Sequence, residues 1–266
     1  MLHDWFDALP LWAVYLGTVA LSIGAVELGL VAGRRRRDHH EPEDGSAVGA
    51  MVGATLGLLA FMLAFTFGLA SSRFEDRKEI VLNEANAIGT AWLRAGLLAE
   101  PEASRTRALL HDYARARIDF AEPATRDRGI AASERLHVDL WAQAEAMSRR
   151  EDDARVIALF VGAINDVIDL HATRLNHGVR NRIAGSIWFA LYLVSLFTMG
   201  AVGYQAGLAK GRRSPVVLVM VLAFATVLLL ITDLDRPQKG LLVVSQAPMQ
   251  DLLRSMDAAP PPAPAR

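Results

Sequence analysis

Residues 45–72 read GSAVGAMVGATLGLLAFMLAFTFGLASS, 28 positions without a charged side chain. A helix needs about 20 apolar residues to cross a bilayer, so this stretch alone excludes a wholly soluble protein. Three further runs share its character: 8–26, 183–209 and 214–232 carry no charge over 19, 27 and 19 residues. They explain why 52% of the 266 residues are hydrophobic. A net charge of −1 does not provide the basic surface of a nucleic-acid binder, and none is expected as a partner. Without cysteine the chain forms no disulfide framework and no thiolate metal site.

The pattern predicts an all-α polytopic membrane protein with four transmembrane helices and a helical bundle inserted between helices 2 and 3. The first helix is expected at 9–33, with Glu27 as its only charge. Its positive charges follow it rather than precede it, unlike those of a signal peptide. A short basic loop, 34–45, leads to the second helix at 46–70, with Ser46 as its expected N-cap. The third, 183–209, is followed by a basic loop, 210–213. The fourth, 214–232, opens with Ser214-Pro215, a cap followed by proline where its missing N–H costs nothing. A membrane-proximal segment with a short helix, 233–257, and a Pro/Ala tail at 258–266, expected to be disordered, complete the chain.

Basic residues in short loops stay on the cytoplasmic side. Arg34, Arg35, Arg36 and Arg37 follow the first helix, Lys210, Arg212 and Arg213 follow the third, and the first ten residues contain no Lys or Arg. Both termini and residues 71–182 are therefore expected to be extracytoplasmic. Lysine occurs only at 78, 210 and 239 against abundant arginine, which suggests a high-GC bacterial genome and hence the inner membrane. The arginine run has a second reading as a site for anionic lipid headgroups, opposed by Glu41, Glu43 and Asp44.

Residues 71–182 hold 17 basic and 18 acidic side chains. Helical periodicity predicts helices near 71–99, 101–121, 130–149 and 152–178. No proline interrupts 47–100, so the second span is able to run on as one helix into this segment. Its membrane half carries Gly49, Gly53, Gly57, Ala60, Ala64 and Gly68 on one slowly drifting face. Such a stripe lets backbones approach closely, through packing inside the protomer, self-association or the lining of a conduit. Further along, Asp76, Glu79, Asn83, Asn86, Thr90 and Arg94 fall within about 80° of one another at 100° per residue. That face is either ordinary solvated surface or a hydrated vestibule and inter-subunit network.

The stretch Glu84-Ala-Asn-Ala-Ile-Gly-Thr-Ala-Trp-Leu-Arg-Ala-Gly-Leu-Leu, taken with Asp233-Leu-Asp-Arg-Pro, resembles the bestrophin-like family of bacterial membrane proteins. Leu136-His137, Leu140-Trp141, the Ile164–Arg174 segment, Gly240, Val244-Ser245-Gln246 and Pro248 extend the resemblance over about 50–255. The family name implies a similarity to bestrophins, which are oligomeric anion channels. Bestrophins keep their helical extramembrane region in the cytosol, opposite to the loop charges here, so no residue role is carried over.

Individual carboxylates carry two readings each. Glu27 lies about 10 Å inside the inner interface by helix rise, where it serves either an ion or proton pathway or a packed structural role. Asp233 and Asp235, beside Arg236, either pair and cap at the membrane boundary or offer oxygen ligands to a hard cation. Glu84 would join such a site only if its helix returns to the mouth of the fourth span. His171 and His177 match no compact zinc motif, and His171 reads as a hydrogen-bonded core histidine. No catalytic triad, phosphate loop or dinucleotide fingerprint is present. No enzyme activity, cofactor or bound metal is expected. The leading reading is a homo-oligomeric ion channel or channel-like pore, with the lipid bilayer and inorganic ions as partners. Its alternative is a non-conducting scaffold or envelope sensor whose helical domain binds a partner.

Overall fold

An uninterrupted run of helix-compatible residues from 45 to 95 has its expected consequence in the computed structural model. Gly45–Ala95 is one helix, 51 residues long, or about 76 Å at 1.5 Å per residue. It is here named α2. The structure describes residues 9–39, 45–149, 153–209, 214–236 and 240–258. Around α2 are α1 (Leu11–His39), α3 (Glu102–Ala121), α4 (Arg126–Ser148) and α5 (Ala154–Leu175). A five-residue π-helical turn, Asn176–Arg180, follows α5. Then come α6 (Gly185–Leu208), α7 (Pro215–Asp235) and α8 (Ala247–Asp257). The protein is all-α. The expected carboxylates Glu41, Glu43 and Asp44, the loop residues Lys210, Arg212 and Arg213, and the tail beyond 258 lie outside the described residues.

Several boundaries move. The first helix does not stop at Gly33 but runs through the four arginines to His39. Ser46 is not a cap, because α2 already begins at Gly45. Ser214 is one: its hydroxyl accepts from the Val216 N–H at 3.2 Å, with Pro215 in the first turn. Asp233 and Asp235 belong to the last turn of α7 rather than to a segment beyond it.

The chain forms two compact units. The first draws on the described residues of 1–73, 182–236 and 240–242. Here α1 and α6 cross through glycines. A Cβ on Gly29 would overlap the Gly200 carbonyl, and one on Gly203 would overlap the Val26 carbonyl. Gly33 and Gly207 meet the opposite backbone in the same way. The close approach expected of α2 is thus realised by two other helices, through Gly29-Leu-Val-Ala-Gly33 and Gly203-Tyr-Gln-Ala-Gly207. The Thr18 and Tyr192 hydroxyls, 3.0 Å apart, join the same pair.

The α2 stripe points elsewhere. Val52, Leu59, Leu63, Thr66 and Ala70 form its buried face, whereas Gly53, Gly57, Ala60, Ala64 and Gly68 are exposed. Gly53, Gly57 and Gly68 have open space where a side chain would stand. A Cβ on Gly49, at the start of the stripe, would instead meet the Gln205 side chain. Trp12, Leu28, Phe61, Phe65, Phe189 and Val216 are likewise exposed, an apolar surface suited to lipid.

The second unit comprises the described residues of 74–181 and 243–258. Ile88, Leu110, Tyr113, Leu140, Phe160, Ile164 and Met249 meet in its core. Five helices among the described residues are long and apolar enough to cross a membrane, the fifth being Ala154–Gly178. That helix, α5, buries Phe160, Ala163, Ile164 and Val167 in this core.

Candidate functional site

Three helices of the second unit each carry one charged residue at a position their periodicity assigns to the core. On α2, Glu84 shares a face with Val81 and Ile88; on α3, Arg117 follows Leu110 and Tyr113. On α5, Arg174 follows Val167 and His171. Packing these faces together brings the three charges into contact. Glu84 and Arg117 are both 0% exposed, and Arg174 4%. The Arg117 Nε lies 2.6 Å from the Glu84 Oε1, and the Arg174 Nη1 donates to the other carboxylate oxygen.

Neutral groups complete the cluster. The Arg117 Nη1 donates to His171 Nδ1 at 3.0 Å and to the Ser133 hydroxyl at 3.4 Å. Ser133 is itself held by donating to the Gly129 carbonyl at 2.8 Å. The Arg174 Nη2 donates to Gln246 Oε1 at 2.7 Å and to the Arg117 carbonyl at 3.4 Å. The Phe120 ring lies under both guanidiniums, 4.4 Å from Arg117 and 5.0 Å from Arg174, a cation–π arrangement. Residues from α2, α3, α4, α5 and the approach to α8 thus share one polar core.

Its electrostatics follow from burial. The Tyr113 phenol is pushed well above its usual range, chiefly because burial penalises the phenolate. Arg117 opposes that rise, while Glu84 adds to it. His137, whose ring centroid is 4.8 Å from that of His171, is pulled down to about 4 by burial and then by Arg117. Each imidazole is neutral at physiological pH, as His171 must be to accept from Arg117.

The other sequence candidates have partners of their own. Asp233 accepts from the backbone N–H groups of Leu241 and Leu242 at 2.9 and 3.0 Å. Asp235 accepts from the Ile183 N–H at 2.9 Å and pairs with Arg182 at 3.1 Å. Arg236 donates to the Leu9 carbonyl at 2.9 Å. The DLDR turn is thus engaged in capping and pairing, and the Glu84 carboxylate is engaged by arginines of its own unit. Asn86 and Thr90 are exposed, as are Asp76, Glu79 and Asn83. Arg94 leaves that stripe by donating to the Leu159 carbonyl on α5 at 2.9 Å. Glu27 borders a cavity of about 190 Å³ with Ser214, Val217 and Val221.

Arg117 and Ser133 were not singled out in the sequence, although an arginine on an apolar helix face is a readable signal, and Gln246 stood out only within the Val244-Ser245-Gln246 string. A family model described as a bestrophin-like domain matches residues 19–249. The chain belongs to the bestrophin-like family. The match begins inside α1, earlier than the resemblance near residue 50, and takes in the whole glutamate–arginine cluster. Curated proteins and solved structures give no match. This bestrophin-like chain is a multi-pass membrane protein by its helix composition.

Proposed function

We propose that this bestrophin-like protein is an oligomeric ion channel or channel-like pore in which α2 stands at the axis. Four spans are assigned in this reading: α1, the first half of α2, α6 and α7. Helix α5 stays in the extramembrane domain. The observation that carries the reading is the unfilled face of α2. Gly53, Gly57, Ala60, Ala64 and Gly68 are exposed on a single chain, and small residues are what membrane helices use to approach one another. Farther along the same helix, Glu79, Asn83, Asn86 and Thr90 are exposed at matching helical spacing. Copies packed through the small residues would surround an axis lined beyond them by hydrated side chains. Glu84, Asp233, Asp235 and Arg236 leave the pathway assignment, because each is engaged structurally.

In orientation, the reading keeps Arg34–Arg37 inside and the helical domain outside a bacterial inner membrane. A cysteine introduced at the exposed Ser104 should react with an impermeant reagent in intact cells; reaction only after lysis reverses the orientation. For conduction, purified oligomer in planar bilayers should carry current that changes in the Asn86→Leu variant. Silent bilayers from well-folded oligomer overturn the pore and favour the scaffold or sensor.

A further inference from the structure

The helical domain contains a cavity of about 240 Å³ that the pore reading does not use. Its polar wall includes Arg77, Arg174, Gln246 and Gln250, with Glu122 also on the lining. Ile80, Val81, Ile118, Val243 and Val244 supply an apolar remainder. Arg77 and Arg174 are only 6% and 4% exposed. Both guanidiniums thus stand in the wall with little water to solvate them.

The charge balance behind that wall is uneven. Arg117 and Arg174 share the single carboxylate of Glu84, and their other hydrogen-bond partners are Ser133, His171, Gln246 and a backbone carbonyl, all neutral. Among the described residues the buried trio keeps one positive charge in excess. Buried charge without a counterion is costly, and a guanidinium is shaped to receive a planar oxyanion.

The geometry points to a binding site for a small monocarboxylate with an apolar body. Its carboxylate meets Arg174 and Arg77, and its body lies against Val81, Ile118 and Val244. The cavity holds the equivalent of roughly eight waters at ~30 Å³ each. That volume suits an aromatic or short aliphatic acid and is below the usual range for larger cofactors. The site lies wholly within the second unit and does not depend on conduction.

The test is calorimetric titration of the full-length protein in detergent at low salt, with empty micelles as the blank. Sodium benzoate, neutral benzamide and inorganic phosphate are the probes. Benzoate should bind saturably, and benzamide about tenfold more weakly or worse, since it lacks the charge-assisted hydrogen bonds. Gln250→Trp, at an exposed lining position, should obstruct the cavity and abolish benzoate binding. Arg77→Gln should weaken it about tenfold. Both variants are checked for unchanged elution volume and helical content, and one that fails the check is replaced by Val243→Trp. Equal binding of benzoate and benzamide overturns the site. So does benzoate binding that survives a folded Gln250→Trp or Val243→Trp variant. Phosphate binding as tightly as benzoate overturns the apolar-bodied ligand.

Discussion

Replacing Glu84 by glutamine keeps the side chain's shape but leaves Arg117 and Arg174 buried against each other without a counter-charge. Coulomb attraction at 2.6 Å from Arg117, and the second pair to Arg174, are lost together, while the desolvation of both guanidiniums remains. Breaking a buried pair from one side costs about 3–5 kcal/mol. At about 2–4 °C per kcal/mol for a chain of this size class, the melting temperature should fall by roughly 6–20 °C. The assay is a thermal series followed by size-exclusion chromatography of detergent-solubilised protein. Glu79→Gln is the control, since Glu79 is exposed, and it should shift the midpoint by no more than about 2 °C. Glu84→Gln melting within about 2 °C of the parent would falsify the view that this cluster holds the domain together. Arg117→Lys should be nearly as damaging. An ammonium cannot reproduce the fork that reaches Glu84, Ser133 and His171 at once.

Gly203→Leu should collapse the monodisperse chromatographic peak, because its side chain would displace the Val26 backbone, an overpacking of about 3 kcal/mol or more. A Cβ on the exposed Gly57 has nothing within 4 Å, so Gly57→Leu should leave the protomer folded while shifting cross-linked oligomer toward monomer; unchanged cross-linking counts against α2 as the assembly helix. Acidification should destabilise the domain. His137 and His171 take up protons near pH 6.5 when unfolded but only near 4 and 3 when folded, chiefly because of burial and then Arg117. The unfolded state therefore binds more protons between those values, and stability falls as pH drops from 6.5 toward 4. The His137 contribution is at most about 3 kcal/mol, so His137→Gln should flatten the melting-temperature profile over that window. Asp233→Ala should speed hydrogen exchange at the Leu241 and Leu242 amides, with a loss of about 1–2 kcal/mol; unchanged protection there argues against the capping role.

What could be read from the chain was local. The lack of proline across 47–100 foretold a continuous α2, and Ser214-Pro215 foretold the start of α7. Four long uncharged runs gave the membrane character. Partner choice was not local. The small residues of α2 advertised close approach without saying to what, while the glycine pairs at 29/33 and 203/207 found each other. Glu84 stood out through its neighbours, yet its partners are Arg117 and Arg174, on helices distant in sequence. Only the shared habit of placing a charge on an apolar face linked the three. Asp233 and Asp235 read either as capping and pairing groups or as ligands, because carboxylates two residues apart can converge on a cation. Backbone amides and Arg182 engage them, and such amides leave no trace in side-chain spacing.

The α1–α6 crossing also sets a timetable. Thr18 and Tyr192, which meet across it, are 174 positions apart. Ribosomes add about 5–20 residues per second, so α1 emerges roughly 9–35 s before its mate exists. Throughout that interval Gly29 and Gly33 lack their α6 partners, and residues 74–181 of the helical domain are synthesised before the gap closes. Biogenesis of this protein is therefore most vulnerable early, when a half-built chain offers an adhesive helix to any other nascent copy nearby.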